Sequence, residues 1–303
     1  MCIICTGEIY EENFKCLQVL DISHCKIITS EKLQEILIQC KNLRELQCIY
    51  CSSLTSLDLR NNINLETLYC YHCPSLTSLN LQENKNLREL QCYSCTSLTS
   101  LDLRNNINLK ELVCSSCTSL TSLDLRNNIN LKELVCSSCP SLTSLDLRSN
   151  INLEILWCFK CTSLNYLKVP SNCTYISFHD TLIKEIDFSN CELIETIIVN
   201  ELVISLDLIN CKKLSKLVIS DCRFLTNISL YKTPLTFRYS NCLWITQYKD
   251  FINNLQRLIK MQRWYRKLLI IKYMKSQKFI EWIYSPDNIG GRLYKKWLLK
   301  NLK

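Results

Sequence analysis

Residues 95–138 read CTSLTSLDLRNNINLKELVCSS and then the same 22 letters again, without a single change. A self-similar period of this length is typical of chains whose units bury their apolar side only against the neighbouring unit. The period therefore predicts a solenoid, and an extended binding surface is the usual role of that architecture.

Each 22-letter period contains two half-units offset by half a period, and both follow the form L-x-x-L-x-(L/C)-x-x-(N/C). Side chains alternate between the two faces of a strand, so Leu57 and Leu59 should enter the interior while Asp58 faces solvent. Since both half-units carry this pattern, we expect parallel strands on two sides of a flattened coil, with successive turns about 4.8 Å apart. The predicted fold is a mainly parallel β solenoid.

The domain organisation follows from where this pattern begins and ends. We expect a lead-in or cap at 1–16, a solenoid at 17–245 that is most regular over 43–172, and a basic helical segment at 246–303. A short helix is predicted over residues 31–39. An asparagine closes each second half-unit as far as Asn172, and we expect it to be buried and bonded to backbone groups of the bend.

The C-terminal segment differs sharply in charge from the solenoid. Residues 246–303 carry 14 Lys and Arg against three Asp and Glu, whereas residues 1–245 are nearly neutral. Apolar positions recur there at helical spacing, which leaves a basic face. Three interpretations stay open: an amphipathic cap, a site for nucleic acid, and a site for an acidic or calmodulin-type partner. The candidate contacts are Arg257, Lys260, Arg263, Arg266 and Lys267.

The calmodulin interpretation depends on a partial match to the IQ motif. Met261, Gln262 and Arg266 resemble that motif, but Lys267 replaces its usual glycine.

The 22 cysteines include six C-x-x-C pairs that recur at the repeat period, from Cys48 and Cys51 to Cys158 and Cys161. The spacing from Cys51 to Cys70 lies within the range known for four-cysteine zinc sites, which makes Cys48, Cys51, Cys70 and Cys73 candidate ligands. The period offers another explanation, because the first cysteine of each pair aligns with an interior leucine and the second with the turn asparagine. A small thiol fits both places. We favour structural thiols and expect neither a metal nor a cofactor.

The outward positions of the cysteine-containing half-units are the candidate partner-binding surface. Aromatic residues are favoured anchors in interfaces, although stacking between strands for stability explains them equally well. On the other side, Asp and Arg alternate and can pair with each other. The candidate binding residues are Tyr69, Tyr71, Tyr93, Trp157 and Phe159.

Catalysis finds little support in the sequence. The three histidines, His24, His72 and His179, are scattered, and the common nucleotide-binding, hydrolase and zinc-protease motifs do not occur. The start of the chain has no basic n-region, and no run of about 20 apolar residues suggests a membrane span. We therefore expect a reduced intracellular chain that is not an enzyme.

Leu17, Leu20, Ile22 and Cys25 follow the form L-x-x-L-x-L-x-x-C and so resemble the cysteine-containing leucine-rich repeats. The cysteine-rich repeats, the bias toward Asn, Ile and Lys, and the ending YSPDNIGGRLYKKWLLKNLK are together similar to leucine-rich repeat proteins of amoeba-infecting giant DNA viruses. This resemblance implies a protein-interaction scaffold with an unidentified protein partner, in the host cytoplasm if the chain is viral. Nucleic-acid binding through the tail and a zinc-stabilised repeat are the alternatives.

Overall fold

The computed structural model describes residues 11–231, 234–240 and 242. These residues form a succession of short strands and bends, preceded by a 3-10 helix at Glu11–Cys16. The predicted basic helical segment at 246–303 lies outside the described residues. So does most of the predicted lead-in at 1–16.

Seventeen short strands run through the described part of the chain. They are β1 Val19–Asp21, β2 Glu45–Gln47, β3 Ser56–Asp58, β4 Thr67–Tyr69, β5 Ser78–Asn80, β6 Glu89–Gln91, β7 Glu111–Val113, β8 Glu133–Val135, β9 Ser144–Asp146, β10 Ile155–Trp157, β11 Tyr166–Lys168, β12 Tyr175–Ser177, β13 Thr196–Val199, β14 Ser205–Leu208, β15 Lys216–Ser220, β16 Asn227–Leu230 and β17 Thr236–Ser240.

Eleven of these strands form one continuous parallel sheet, which we call the main sheet. Its order is β1-β2-β4-β6-β7-β8-β10-β12-β13-β15-β17, so each turn of the coil adds one strand. Identical positions of successive repeats pair directly, as in Leu46 with Leu68 and Leu68 with Leu90. These leucines are fully buried. The predicted parallel β solenoid is thereby confirmed.

The opposite side of the coil is less continuous. It carries three separate two-stranded sheets, β3-β5, β9-β11 and β14-β16. In the two identical repeats, residues 100–102 and 122–124 form no strand, although Leu101 and Leu123 are buried there. The backbone hydrogen bond from Thr121 N to Thr99 O measures 3.4 Å, against 2.9 Å for Thr77 N to Thr55 O. Strands on two sides are confirmed, but only one side forms an unbroken sheet.

The turns shorten toward the C-terminal end of the solenoid. Leu156 pairs with Ile176, Ile176 with Ile197 and Ile197 with Leu217. The two residues of each pair are closer together in sequence than one full period of the regular repeats. The strands of the main sheet stay paired in spite of the shorter turns, because the central residue of each strand remains apolar and buried.

The first turn is closed by the helix α1, Ser30–Leu37. Thr29 caps it, since its side chain accepts a hydrogen bond from Lys32 N. Its own residues Leu33, Ile36 and Leu37 are buried and form one face, as the helix predicted over 31–39 requires. Among the residues that the structure describes, no helix is both long and apolar enough to cross a membrane.

A column of buried asparagines joins successive turns at one corner of the coil. Asn106 Nδ2 donates to Leu81 O at 3.0 Å and to Asn84 O at 2.8 Å. The other members repeat this pair of bonds one turn earlier or later; they are Asn62, Asn84, Asn128 and Asn150. The predicted role of these asparagines is confirmed, because each satisfies two carbonyls that the bend leaves without a strand partner.

Asn172 does not belong to this column, and its predicted burial is wrong. Its side chain is exposed and donates to Ile151 O at 2.7 Å. Cys173 is buried at the corner instead, and burial raises the pKa of its thiol to about 12. The reason is one additional residue between β11 and the corner. Pro170 takes the buried place that Leu147 has one turn earlier, and Cys173 N bonds to Pro170 O as Asn150 N bonds to Leu147 O, so the corner falls one residue later.

Replacing Asn106 by alanine should lower the free energy of unfolding by about 2–4 kcal/mol, because two buried carbonyls lose their donor and a cavity is left. Urea denaturation of the full chain measures this loss. The matched control is Asn108→Ala, since Asn108 is exposed and donates only to Lys85 O. We expect less than about 1 kcal/mol for the control. Equal losses would contradict a special role for the buried column.

Candidate functional site

A second corner of the coil places one side chain per turn beside the outer face of the main sheet. Nine non-glycine residues there adopt a left-handed backbone with φ between 56° and 63°. They are His24, Tyr50, His72, Ser94, Ser116, Ser138, Lys160, Asp180 and Asp221. Each such conformation costs about 1 kcal/mol or more for an L-residue. It persists because the backbone N–H bonds to the next turn, as from His72 N to Tyr93 O at 2.9 Å.

The N-terminal aromatic cluster consists of His24, Tyr50, His72, Tyr71 and Tyr93. Tyr50 stacks on His24 at 5.0 Å between ring centres and on His72 at 4.4 Å. Tyr71 stacks on Tyr93 at 4.3 Å, and His72 meets both tyrosines edge on. The rings form one continuous group, and Tyr50 is 44% exposed.

The C-terminal aromatic cluster consists of Trp157, Phe159, Tyr175 and His179. Trp157 stacks on Tyr175 at 4.9 Å, and Phe159 stacks on His179 at 4.7 Å. Trp157 and Phe159 meet edge on at 5.9 Å, which joins the two stacks. All four side chains are half-buried.

The structure brings most of the predicted binding residues into these two clusters. Tyr71 and Tyr93 lie in the first, and Trp157 and Phe159 lie in the second. Tyr69 instead bonds through its hydroxyl to Glu89 Oε1 at 3.0 Å. The histidines are not scattered as their sequence positions suggest, because all three join the clusters. Their common position at or just before a corner was the only signal of this in the sequence.

Between the clusters lies an acidic strip formed by Glu89, Glu111 and Glu133. These residues occupy identical positions on β6, β7 and β8 and pair in register. Gln91 Nε2 donates to Glu89 Oε1 at 2.7 Å, which together with Tyr69 fixes that carboxylate. Burial, followed by the neighbouring carboxylates of Glu89 and Glu133, raises the pKa of Glu111. Within residues 11–231, no Lys or Arg forms an ion pair with the strip.

In the regular repeats, the aspartates of the opposite side are paired with arginines. Arg104 bonds to Asp102 at 2.8 Å, and the same contact recurs in neighbouring turns at 2.7 Å for Arg126 and Asp124 and at 2.6 Å for Arg148 and Asp146. The Arg126 hydrogen bond lowers the pKa of Asp124 to about 2. The predicted self-pairing of this side is present, and it leaves little charge available to a partner.

The cysteines serve the coil as buried hydrogen-bond donors and core groups. The second thiol of each pair donates to a carbonyl of the preceding turn, as from Cys95 Sγ to Cys70 O at 3.0 Å and from Cys117 Sγ to Cys92 O at 3.2 Å. The first thiol fills an interior position, where burial raises the pKa of Cys114 and of Cys158 well above the usual range.

The candidate zinc ligands take part in this same pattern. Cys73 Sγ donates to Cys48 O at 3.0 Å. Among the residues that the structure describes, no three His, Cys, Asp or Glu side chains form a group able to hold a metal ion. The predicted tail contacts Arg257, Lys260, Arg263, Arg266 and Lys267 lie outside those residues.

One further cleft, of about 710 Å³, opens on the interrupted side between β11 and β14. The exposed apolar residues Tyr166, Leu182 and Ile204 line it, with basic and acidic side chains intermixed. Lys168 Nζ lies 5.9 Å from the Tyr166 ring centre. The mixed charge gives this cleft no evident preference for one kind of ligand.

Two leucine-rich repeat models match the sequence. The model for the BspA-type leucine-rich repeat region matches in six copies over residues 30–134 and 91–207, which is more than half of the chain. A second leucine-rich repeat model matches residues 15–35. No curated protein matches the sequence.

Several solved structures are similar to the chain. The functional domain of InlJ from Listeria monocytogenes, described as including a cysteine ladder, is 22% identical over 77% of this chain and 65% of that domain, with a TM-score of 0.41. The leucine-rich repeat domain of the type III effector XCV3220 (XopL) is 19% identical over 74% of this chain and 81% of that one, with a TM-score of 0.45. The plant peptide hormone receptor RGFR1, solved in complex with RGF2, is 17% identical over 76% and 46%, with a TM-score of 0.45. The chain thus spans less than two thirds of the InlJ domain and about half of the receptor.

Serine should be tolerated at Cys117 but not at Cys114. At Cys117 the new hydroxyl can still donate to Cys92 O, so we expect a loss of less than about 1 kcal/mol in the free energy of unfolding. At Cys114 the hydroxyl enters an apolar interior, and the loss should be about 1–3 kcal/mol. Urea denaturation under reducing conditions compares the two variants. Equal effects would show that the two thiols have the same role.

Glu111→Gln should stabilise the chain at pH 7. Because the pKa of Glu111 is higher in the folded chain than in the unfolded chain, the carboxyl contributes stability below its unfolded pKa of about 4.3. That contribution is lost as the pH rises through the folded pKa. The gain on substitution, on the order of 0.5 kcal/mol at pH 7, should therefore shrink at pH 4. Urea denaturation at both pH values, with the exposed Glu83→Gln as control, tests this; a gain independent of pH would contradict it.

Proposed function

The chain belongs to the BspA-type leucine-rich repeat proteins, and from that premise we propose that it is a non-enzymatic protein-interaction scaffold that binds its partner on the outer face of the main sheet. Leucine-rich repeat proteins commonly serve as such scaffolds. The observation that carries the proposal is the pair of stacked aromatic clusters, half-exposed on one unbroken sheet.

Stacked rings are suited to binding because they are already ordered. Tyrosine and tryptophan supply a large contact area, and side chains held in place before binding lose little conformational entropy when a partner arrives. Tyr71 and Tyr93 hold each other at 4.3 Å, and Trp157 and Tyr175 at 4.9 Å. The cross-strand stacking that stabilises the sheet therefore also prepares a binding surface.

The corner thiols support a reducing, intracellular setting for this scaffold. A thiol donates a hydrogen bond only while it carries its hydrogen, and Cys139 and Cys161 each donate to a buried carbonyl, at 3.2 Å and 3.1 Å. Oxidation would remove these donors from the corner of the coil.

A second candidate function is binding of nucleic acid or an acidic protein by residues 246–303. The 14 basic residues against three acidic ones in this segment favour it. The affinity of such binding should fall steeply as the salt concentration rises. Substitutions on the main sheet should leave the affinity unchanged. Substitution of Arg263 and Arg266 by glutamine, followed by titration with single-stranded DNA at two salt concentrations, distinguishes this function from the scaffold.

A photo-crosslinking amino acid placed at Val113, on the outer face between the clusters, should capture the partner in cells that express the full chain. The same probe at Ser122, exposed on the opposite side, should capture it much less. The double substitution Tyr71→Ala and Trp157→Ala should reduce capture from Val113 at least tenfold, because both clusters lose an anchor.

The matched control substitutes two exposed aromatic residues outside the clusters, Phe224→Ala and Tyr231→Ala, which are 57% and 59% exposed. This control should leave capture unchanged. Equal capture from Ser122, or capture that survives loss of both anchors, would refute the main sheet as the binding face.

A further inference from the structure

We propose that the partner segment bound on the main sheet is an extended basic peptide whose Lys and Arg side chains lie over Glu89, Glu111 and Glu133. This inference rests on the proposed scaffold function and specifies the chemistry of its partner. It follows from three carboxylates that form no ion pair within residues 11–231, from the aromatic clusters at either end of these carboxylates, and from the distance between the clusters.

The acidic strip is electrostatically unfavourable for the coil in the absence of a partner. Carboxylates paired in register on adjacent parallel strands repel each other, and like charges directly opposite destabilise a sheet. Burial raises the pKa of Glu111, and the carboxylates of Glu89 and Glu133 on the adjacent strands raise it further. A cationic partner removes the repulsion and so binds more strongly than contact area alone provides.

The same repeats compensate their charge on the other side. In the two identical units, Asp102 and Asp124 are each held by an arginine two positions later, at 2.8 Å and 2.7 Å. The corresponding outward residue two positions after Glu111 is Val113, and after Glu133 it is Val135. Neutral valine at these two positions provides no such cation.

The surroundings of the strip suit Lys and Arg side chains. Glu89 is held toward the face by Tyr69 and Gln91, so one carboxylate is oriented before binding. Tyr93 and Trp157 stand at the two ends, and aromatic faces attract both guanidinium and ammonium groups. The surface between the clusters is recessed relative to the aromatic rings, because Val113, Ser115 and their equivalents in the next turn have small side chains.

The dimensions fit a short extended segment. Three strand spacings separate β6 from β10, or about 14 Å at about 4.8 Å per spacing. An extended peptide advances about 3.3 Å per residue, so four or five residues reach from one cluster to the other. An eight-residue peptide covers the strip and contacts both clusters.

The strip also argues against other occupants of this face. Phosphate groups of a nucleic acid would meet three carboxylates and be repelled. A neutral peptide would cover the carboxylates without pairing them, which costs free energy. A basic peptide is the class whose charge complements the face.

The test uses fluorescein-labelled octa-arginine, octalysine and octaglutamate, titrated with the full chain by fluorescence anisotropy at 50 and 150 mM salt. We expect octa-arginine and octalysine to bind and octaglutamate not to bind. The triple variant Glu89→Gln, Glu111→Gln, Glu133→Gln should weaken binding of the basic peptides at least tenfold. The control Glu83→Gln, Glu185→Gln, Glu201→Gln removes the same charge from exposed sites elsewhere and should change it less than threefold.

Equal weakening in the two triple variants would overturn the proposal, since the overall charge of the chain would then account for binding. So would a lack of binding by both basic peptides. If the peptides fail while crosslinking from Val113 still depends on Tyr71 and Trp157, the scaffold stands and only the basic partner falls. If both experiments fail, the proposed function falls with it.

Discussion

The coil depends on side chains that donate hydrogen bonds to backbone carbonyls at its corners. A chain that bends twice in each turn of the coil leaves carbonyls that no strand can pair, and an unpaired buried carbonyl costs about 1–3 kcal/mol. Asn106 and its equivalents donate hydrogen bonds to these carbonyls at one corner, and thiols such as that of Cys95 do so at the other. In both columns the acceptor lies in the preceding turn, so every bond ties two successive turns together. The small amide and thiol fit where a larger donor would not.

These bonds fix the register of the main sheet. Because of this register, residues at the same position of successive repeats lie side by side and form a column along the coil. A substitution in one turn therefore changes one member of such a column and leaves the other members in place. Two identical units therefore produce a uniform stretch, which here consists of the acidic strip and the small side chains beside it. The varied turns on either side produce the aromatic clusters around Tyr71 and Trp157. The proposed binding face is thus the direct product of where the repeats are alike and where they differ.

The two sides of the coil pair their carboxylates to different extents although their strands have the same period. Arginine two positions after aspartate neutralises one side within each turn, and the hydrogen bond from Arg126 lowers the pKa of Asp124 to about 2. Beside the main sheet, Glu66 pairs with Arg44 and Arg88, whereas Glu111, followed two positions later by a valine, forms no ion pair within residues 11–231. A paired surface offers little to a partner, whereas an uncompensated one attracts a partner of opposite sign. This contrast, together with the unbroken sheet, favours the main sheet as the functional side.

The sequence by itself determined the solenoid, its two strand-bearing sides and the burial of Asn106 and Cys95, because side-chain direction follows backbone alternation and the period repeats it. It also indicated that Tyr71 lies beside Tyr93, since they are one period apart. Only the tertiary structure decided that the scattered histidines join the clusters. Their positions depend on left-handed corner residues and, for His179, on a shortened turn, neither of which a fixed period predicts. One additional residue before the corner likewise placed Cys173 there and not Asn172, because the partner of each residue is set by contacts with the neighbouring turn and not by its place in the repeat.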